Sequence, residues 1–301
     1  MARVSPGVVL VHKPIGVTSF SLVEALAREL EAVPGKAHKL SHGGALDPFA
    51  EGLMLLLVGA ATKLFERFHE APKTYEATVR WGLETDTGDP GGRIAAQGDA
   101  STLTAERLTT ALEAFVGWHA QVPPPTSNKR VDGERAYRLA HRGEVVELPA
   151  VQVYLHAARW LEHELPLRSR LRLVVRGGFY VRSLVRELGR VVGARAHLEA
   201  LERVSIGPWT SPTSGERVMV SGADVLPWYG RVALDDETWG RVKTKAPVSV
   251  RARVQPAAWP FPSGFPRPTP RVLGLHQGRV VALLEPRAEG FVPAQVLLPP
   301  L

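Results

Sequence analysis

Short apolar runs separated by turn residues predict several β-strands in the first two thirds of the chain. Residues 8–11 and 53–58 are continuous apolar runs of the kind that form strands buried on both faces. Residues 75–81 alternate between apolar and polar side chains, as in a strand with one buried face. Residues 171–175 form a fourth apolar run. We therefore expect a sheet that contains both fully and half-buried strands.

Three segments have apolar residues at helical spacing. Residues 21–24 have the form of a capping box ahead of Leu26 and Leu30, which predicts a helix that ends at Pro34-Gly35. Two more helices are predicted over residues 104–115 and after Gly177-Gly178. Their expected core positions are Leu108, Ala111, Leu112 and Phe115 in the first and Leu184, Leu188, Val191 and Val192 in the second.

The order of these elements favours an α+β fold, with a mixed, largely antiparallel sheet flanked by helices. Their irregular spacing does not match the regular alternation of a doubly wound sheet. Residues 121–133 are Pro-rich and basic, which predicts a surface insertion. The pattern breaks around 226–245, and a Pro-rich stretch over 256–270 precedes short predicted strands at 272–275 and 279–284.

The amino-acid composition favours some classes of function and excludes others. The formal net charge of +7 and the pI near 9.9 favour a polyanionic partner, without distinguishing nucleic acid from a membrane surface. The absence of Cys excludes disulfides, thiolate nucleophiles and Cys-based metal sites. The ten His residues form no compact ligand motif, so we expect no catalytic metal. Residues 1–7 lack a signal-peptide pattern and no apolar run reaches membrane-spanning length, which predicts a cytoplasmic protein.

One acid stands out as a candidate for chemistry. Asp47 lies in the segment Ser-His-Gly-Gly-Ala-Leu-Asp-Pro, directly before an apolar run. Two glycines and an Asp-Pro pair predict a loop braced by packed structure, where catalytic groups often lie. On these residues alone, the favoured interpretation is that Asp47 caps the segment that follows.

Five further motifs accompany the Asp47 segment: Lys13-Pro14-Ile15-Gly16-Val17-Thr18-Ser19, Gly59-Ala60-Ala61-Thr62-Lys63, Lys73-Thr74-Tyr75, Gln121-Val122-Pro123-Pro124 and Gly177-Gly178-Phe179-Tyr180-Val181-Arg182-Ser183-Leu184. Together with the Asp47 segment, in this order and spacing, they resemble the bacterial tRNA pseudouridine-55 synthases, the TruB family. The resemblance covers about residues 8–209 and rests on the coincidence of motifs that would each be weak alone. It departs from the family at Ser41, where Gly is usual, and at Gly43, where Thr is usual.

The resemblance implies a fold and a function. It implies a pseudouridine synthase catalytic domain over 1–229 and a small β-rich, PUA-like RNA-binding domain over 230–301. The implied activity is isomerisation of uridine 55 in the T loop of tRNA, with base flipping, a reaction that needs no cofactor or metal. We expect a monomer that needs no protein partner. Two alternatives stay open, an RNA-folding chaperone and a guide-RNA-dependent rRNA pseudouridine synthase.

The resemblance also implies roles for individual residues. Asp47 matches the catalytic carboxylate, acting as nucleophile or as base. Arg182 matches the arginine that pairs with it, although Arg182, Arg186 and Arg190 could instead form a solvated or phosphate-facing stripe. Tyr75 matches the tyrosine that packs on the target base.

Other residues are expected to bind the substrate. His42 matches the family histidine that inserts into the T loop, and Tyr180 is expected to position the base or Asp47. Asp86 and Asp89 are expected to structure a loop or contact RNA, without a catalytic role. The remaining expected RNA contacts are the lysines Lys13, Lys63, Lys73 and Lys129 at phosphates and Leu201 in the binding site.

Overall fold

The computed structural model describes residues 6–31, 39–127, 129–131, 133–142, 144, 147–249, 253–288 and 290–301 of the 301. The chain forms two compact units. The first unit comprises Met1–Pro48, Gly52–Ala71 and Ile206–Leu301, and the second unit comprises Phe49–Glu51 and Pro72–Ser205.

Strands and helices alternate irregularly along the described residues, which confirms the predicted α+β class. The strands are β1 (Gly7–Lys13), β2 (Leu40–His42), β3 (Glu51–Val58), β4 (Lys73–Trp81), β5 (Leu83–Thr85), β6 (Ile94–Gln97), β7 (Gly117–Gln121), β8 (Arg130–Val131), β9 (Glu134–Arg135), β10 (Val151–Glu164), β11 (Arg168–Val175), β12 (Ala196–Ile206), β13 (Trp209–Thr210), β14 (Arg217–Val220), β15 (Gly230–Ala233), β16 (Val272–His276), β17 (Arg279–Arg287) and β18 (Gly290–Val296). The helices are α1 (Ser19–Glu31), α2 (Phe65–Phe68), α3 (Ala105–Glu113), α4 (Ala136–His141), α5 (Val181–Val191) and α6 (Asp236–Lys243), with 3₁₀ turns at Gly59–Leu64 and Gly222–Val225.

In the first unit, β1 is hydrogen-bonded between β14 and β3, antiparallel to both, and β2 pairs antiparallel with residues 56–58 of β3. Both β1 and β3 are buried on both faces, which explains their continuous apolar sequences. One face packs on α1 through a cluster that contains Val9, Met54 and Leu26. The opposite face belongs to a second cluster that also contains Trp228 and Leu283.

In the second unit, the strand order is β12-β4-β11-β10-β7. The pairs β4-β11, β11-β10 and β10-β7 are antiparallel. Strand β4 alternates strictly between buried and half-buried residues, as its sequence predicts. Helix α3 begins after the N-cap Thr104 and buries Leu108 and Leu112, while α5 buries Leu184 and Leu188.

The last 72 residues, 230–301, contain a separate four-stranded sheet in the order β15-β16-β17-β18. The two predicted strands are confirmed as β16 and β17, and β15 pairs parallel to β16. One side of this sheet forms its own cluster with α6, built around Val232, Val242 and Phe291. The other side contributes Leu273 and Leu283 to the cluster that packs on β3.

Three local predictions are wrong. The hydroxyl of Thr18, and not that of Ser21, caps α1, since it accepts a hydrogen bond from the Ser21 N–H at 3.0 Å. Val191, an expected core position, is 64 % exposed because it lies at the end of α5. The segment 121–133 is not all surface insertion. Gln121 is fully buried and Ser127 nearly so. The predicted helix end at Pro34-Gly35 lies outside the described residues.

The first unit also contains a buried charged cluster centred on Glu70. The Tyr229 hydroxyl donates to the Glu70 carboxylate, which also accepts from Arg67 at 2.6 Å and from Arg271 at 3.4 Å. Glu70 and Tyr229 are 8 % and 2 % exposed. The cluster therefore ties α2 to two segments more than 150 residues away in sequence.

We predict that Tyr229→Phe lowers the free energy of unfolding by about 2 kcal/mol, because it removes a hydrogen bond to a buried carboxylate. Urea denaturation measures this loss. Tyr154→Phe, on a half-buried residue of β10, is the control and should cost less. Equal stability of Tyr229→Phe and the wild type would contradict the prediction.

Candidate functional site

The loop that carries Asp47 is held on both sides of that residue. Before it, the Ser19 hydroxyl donates to the Leu46 carbonyl at 2.9 Å and accepts from the Leu46 N–H at 2.8 Å. After it, the Pro48 carbonyl accepts from the Gly16 N–H at 2.8 Å. Asp47 itself is half-buried. The backbone on both sides of the candidate carboxylate is therefore fixed by residues 16–19, which precede and begin α1.

Lys13 supports the same loop. Its ammonium group donates to the carbonyls of Pro14 at 2.9 Å, Val17 at 2.8 Å and Pro48 at 3.4 Å. The side chain is fully buried. An ammonium that donates to three carbonyls inside the protein is not placed to bind an RNA phosphate, so this position argues against the predicted phosphate contact.

The glycines before Asp47 allow a close approach of the loop to β3. The Gly43 N–H donates to the Leu55 carbonyl at 2.8 Å, and a Cβ at position 43 would lie 3.1 Å from the Leu55 Cβ. Gly44 has φ +131°, a conformation that residues with a side chain rarely adopt. Gly43, where the family usually has Thr, thus lies against β3 in this chain.

Arg182 lies in the first turn of α5 and is 5 % exposed. Its Nη1 donates to the Asp89 carboxylate at 3.0 Å, to the Thr87 carbonyl at 3.0 Å and to Thr126 Oγ1 at 2.6 Å. Asp89 also accepts from the Thr87 hydroxyl and the Gly91 N–H. This loop, Thr85-Asp86-Thr87-Gly88-Asp89, therefore orients a buried guanidinium.

The contact between Asp89 and Arg182 was missed at the sequence level. The expectation that Asp86 and Asp89 structure a loop is confirmed, since Asp86 accepts from the Arg93 N–H. A glycine between two acids predicts a turn. This local pattern does not predict a contact with an arginine 93 residues later in the sequence.

The other two arginines of α5 are bonded within the second unit. Arg190 pairs with Glu84 through two hydrogen bonds, and Arg186 donates to the Val122 carbonyl at 3.1 Å. Ser183 donates to the same carbonyl at 2.6 Å. Arg182 is buried and Arg186 is half-buried, but Arg190 is exposed, so a phosphate-facing role for Arg186 and Arg190 stays a prediction.

Tyr75 is 8 % exposed and points to the buried face of β4, opposite Leu173 of β11. Lys73 lies two residues earlier on the same face and is 4 % exposed. Burial lowers the pKa of Lys73 to about 7, and the nearby charges of Arg203 and Arg176 add to this effect. Its burial argues against the predicted contact between Lys73 and an RNA phosphate.

The remaining predicted residues lie on several elements. Tyr180 precedes α5, and its N–H donates to the Gln121 side chain at 2.9 Å. His42 ends β2, half-buried, and Leu201 is buried in β12. Lys63 and Lys129 are exposed, as phosphate-binding lysines would be.

The predicted site residues divide between the two units. Asp47, His42, Lys13 and Lys63 belong to the first unit. Tyr75, Arg182, Tyr180, Lys73, Lys129 and Leu201 belong to the second. The pairing of Arg182 with Asp47 stays a prediction.

Two features are absent from the described part of the chain. No helix there is long and apolar enough to cross a membrane. No group of three or more His, Asp or Glu side chains there could hold a metal ion.

The family model and the individual sequences that match this chain all describe pseudouridine synthases. The family model described as TruB family pseudouridylate synthase (N terminal domain) matches residues 33–181. A tRNA pseudouridine synthase B of Aromatoleum aromaticum is 39 % identical over 232 residues, 77 % of this chain and 72 % of the relative. That of Solibacter usitatus is 38 % identical over 251 residues, 79 % of this chain and 84 % of the relative.

Comparison with solved structures concerns the fold. A chain in the crystal structure of a Cbf5-Nop10-Gar1 complex aligns with a TM-score of 0.68 at 20 % identity, over 98 % of this chain and 85 % of that one. A chain of an H/ACA RNP bound to a substrate RNA containing 2′-deoxyuridine aligns with a TM-score of 0.62 at 17 % identity, over 97 % and 84 %. At these identities the likeness shows a shared fold.

We predict that Asp89→Asn lowers the free energy of unfolding by about 2 kcal/mol, because it removes a charged partner of the buried Arg182. Thermal or urea unfolding measures the change. Asp86→Asn is the matched control, since Asp86 is exposed in the same loop. If both variants lost the same stability, the ion pair with Arg182 would not be the cause.

The buried Lys73 predicts a pH dependence of stability. The unfolded chain keeps this proton up to a pKa near 10.5, whereas the folded protein loses it near 7. Between these values the unfolded state binds more protons, so this residue makes the protein more stable as pH rises. Lys73→Met removes that contribution.

From pH 7 to pH 9, the stability of Lys73→Met relative to the wild type should therefore fall by an amount on the order of 2 kcal/mol. Urea denaturation at both pH values measures it, with the exposed Lys129→Met as control. A relative stability of Lys73→Met that did not change with pH would show that Lys73 stays protonated.

Proposed function

The chain belongs to the TruB family of pseudouridylate synthases, and from this membership we propose that it isomerises uridine 55 in the T loop of tRNA. Relatives named tRNA pseudouridine synthase B, 34–39 % identical over more than three quarters of the chain, support tRNA as the substrate. The observation that carries the mechanism is the Asp47 loop, whose backbone is fixed on both sides of a half-buried carboxylate.

The reaction needs one well-placed carboxylate. The bond from ribose C1′ to uracil N1 breaks, a bond from C1′ to C5 forms, the C5 hydrogen leaves as a proton and N1 gains one. Asp47 either attacks C1′ as a nucleophile or removes a proton from the sugar as a base. A rigid loop suits both roles, because each needs the carboxylate oxygen in a narrow range of positions.

Arg182 keeps this carboxylate ionised in the proposed mechanism. A guanidinium near a carboxylate lowers its pKa and orients it. The contacts of Arg182 with Asp89, Thr87 and Thr126 support such a role, because they hold the side chain in one orientation before any substrate binds.

The target base must leave the RNA stack to reach Asp47. We assign Tyr75 to packing on the flipped uracil, which recovers part of the cost of unstacking. Tyr180 and Leu201 contribute to the same binding site, and His42 inserts into the opened T loop. The exposed Lys63 and Lys129 contact phosphates in this proposal.

We also propose that the chain contains a catalytic domain and a separate RNA-binding domain. Residues 1–229 form the catalytic domain and residues 230–301 a PUA-like domain. The sheet of β15 to β18, with its own cluster around Val232 and Phe291, supports this division. The enzyme acts in the cytoplasm as a monomer, without cofactor or protein partner.

The experiment is tritium release from T-arm RNA labelled at uracil C5, with purified protein alone. We expect release by the wild type and a loss of at least about 10³-fold in Asp47→Asn, since the reaction has no other proposed nucleophile or base. Asp99→Asn, on an exposed loop acid, is the control and should match the wild type.

Other outcomes would favour other functions. Tight RNA binding without release by any protein would favour the guide-RNA-dependent enzyme or the chaperone. Release by Asp47→Asn at the wild-type rate would remove Asp47 from the chemistry while leaving the activity in place.

A further inference from the structure

Ser19 is the first residue of α1, but its side chain forms hydrogen bonds with the Asp47 loop. It is 5 % exposed, and its hydroxyl both donates to the Leu46 carbonyl and accepts from the Leu46 N–H. One side chain thus satisfies both backbone polar groups of the residue directly before Asp47.

The hydrogen bond from the Ser19 hydroxyl to the Leu46 carbonyl has a direct effect on Asp47. The Leu46 carbonyl and the Asp47 N–H belong to the same planar peptide group. A hydrogen bond that fixes the direction of this carbonyl therefore fixes the plane from which the Asp47 Cα projects. The Pro48 carbonyl, bonded to the Gly16 N–H at 2.8 Å, constrains the other side.

The helix itself does not require the Ser19 hydroxyl. The N-terminus of α1 is already capped by Thr18, which accepts from the Ser21 N–H at 3.0 Å, and the Ser21 hydroxyl donates to the Thr18 carbonyl at 2.8 Å. Two local hydrogen bonds stabilise the first turn, and both remain when the Ser19 hydroxyl is absent.

We infer that Ser19 is a positioning residue for Asp47, which sets the direction of the catalytic carboxylate through the Leu46 peptide. The inference rests on the proposed function, in which Asp47 acts on the uridine. Ser19 touches neither the substrate nor the reacting atoms, so its loss should slow the chemical step without weakening RNA binding.

The test compares Ser19→Ala with Ser21→Ala, which removes a hydroxyl from the same helix turn without touching the loop. Single-turnover tritium release at saturating T-arm RNA gives the rate of the chemical step, and RNA titration gives Kd. We expect Ser19→Ala to lose about 10- to 100-fold in rate, as for a small misplacement of a catalytic group, with Kd within about twofold of wild type. Ser21→Ala should keep the wild-type rate.

Two further variants separate positioning from stability. Ser19→Thr keeps the hydroxyl and should recover most of the rate. Ser19→Cys keeps the buried volume but hydrogen-bonds weakly, so its single-turnover rate should be as low as that of Ser19→Ala. An unchanged rate in folded Ser19→Ala or Ser19→Cys, or an equal loss in Ser21→Ala, would overturn the inference.

A measurement without RNA keeps the inference testable if a variant fails to fold. The Leu46 amide of the wild type should exchange slowly with deuterium, because it donates to a buried hydroxyl, and rapid exchange would overturn the inference. An inactive wild type, or an active Asp47→Asn, would instead contradict the proposed function and leave the exchange result unaffected.

Discussion

A loop keeps one conformation only if its backbone polar groups find partners in the surrounding structure, and the Asp47 loop depends on this constraint. Its partners come from residues 13–19, which run from the last residue of β1 to the first residue of α1, and Lys13, Gly16 and Ser19 there donate to carbonyls on either side of Asp47. That segment is fixed in turn because β1 is buried on both faces. The hydrophobic core therefore determines the position of the carboxylate through a few hydrogen bonds.

Buried charge is organised differently in the second unit. Arg182 is held by an acid and two oxygens from separate loops, so its orientation is set before substrate binds. Lys73 lies beside the positive charges of Arg203 and Arg176, and its burial lowers its pKa into the physiological range. Both residues lie in motifs shared with the TruB family of RNA-modifying enzymes. Neither is an exposed cation, because both side chains are buried. Phosphate contact is better suited to exposed lysines such as Lys63 and Lys129.

The strands and helices that were predicted from the sequence have a local periodicity, whereas the long strands β10 and β12 were not predicted. Strand β4 alternates in sequence as it does in burial, and Leu108 and Leu112 are buried where helical spacing puts them. The failures have tertiary causes. Residues 121–127 are polar and Pro-rich, but several are buried because Gln121 and the Val122 carbonyl bond to the start of α5. A polar residue with a distant partner cannot be distinguished from an exposed one by composition.

The sequence by itself determined the fold class, the family and the prominence of Asp47, because these follow from local patterns and from ordered motifs. It also identified Arg182 and Tyr75 as members of those motifs. Only the tertiary structure decided that Lys13 is a buried support of the Asp47 loop, that Ser19 bonds to Leu46, and that Asp89 holds Arg182. The physical reason is that each of these contacts joins groups 27 to 93 residues apart or depends on burial, and neither is encoded in the neighbouring sequence.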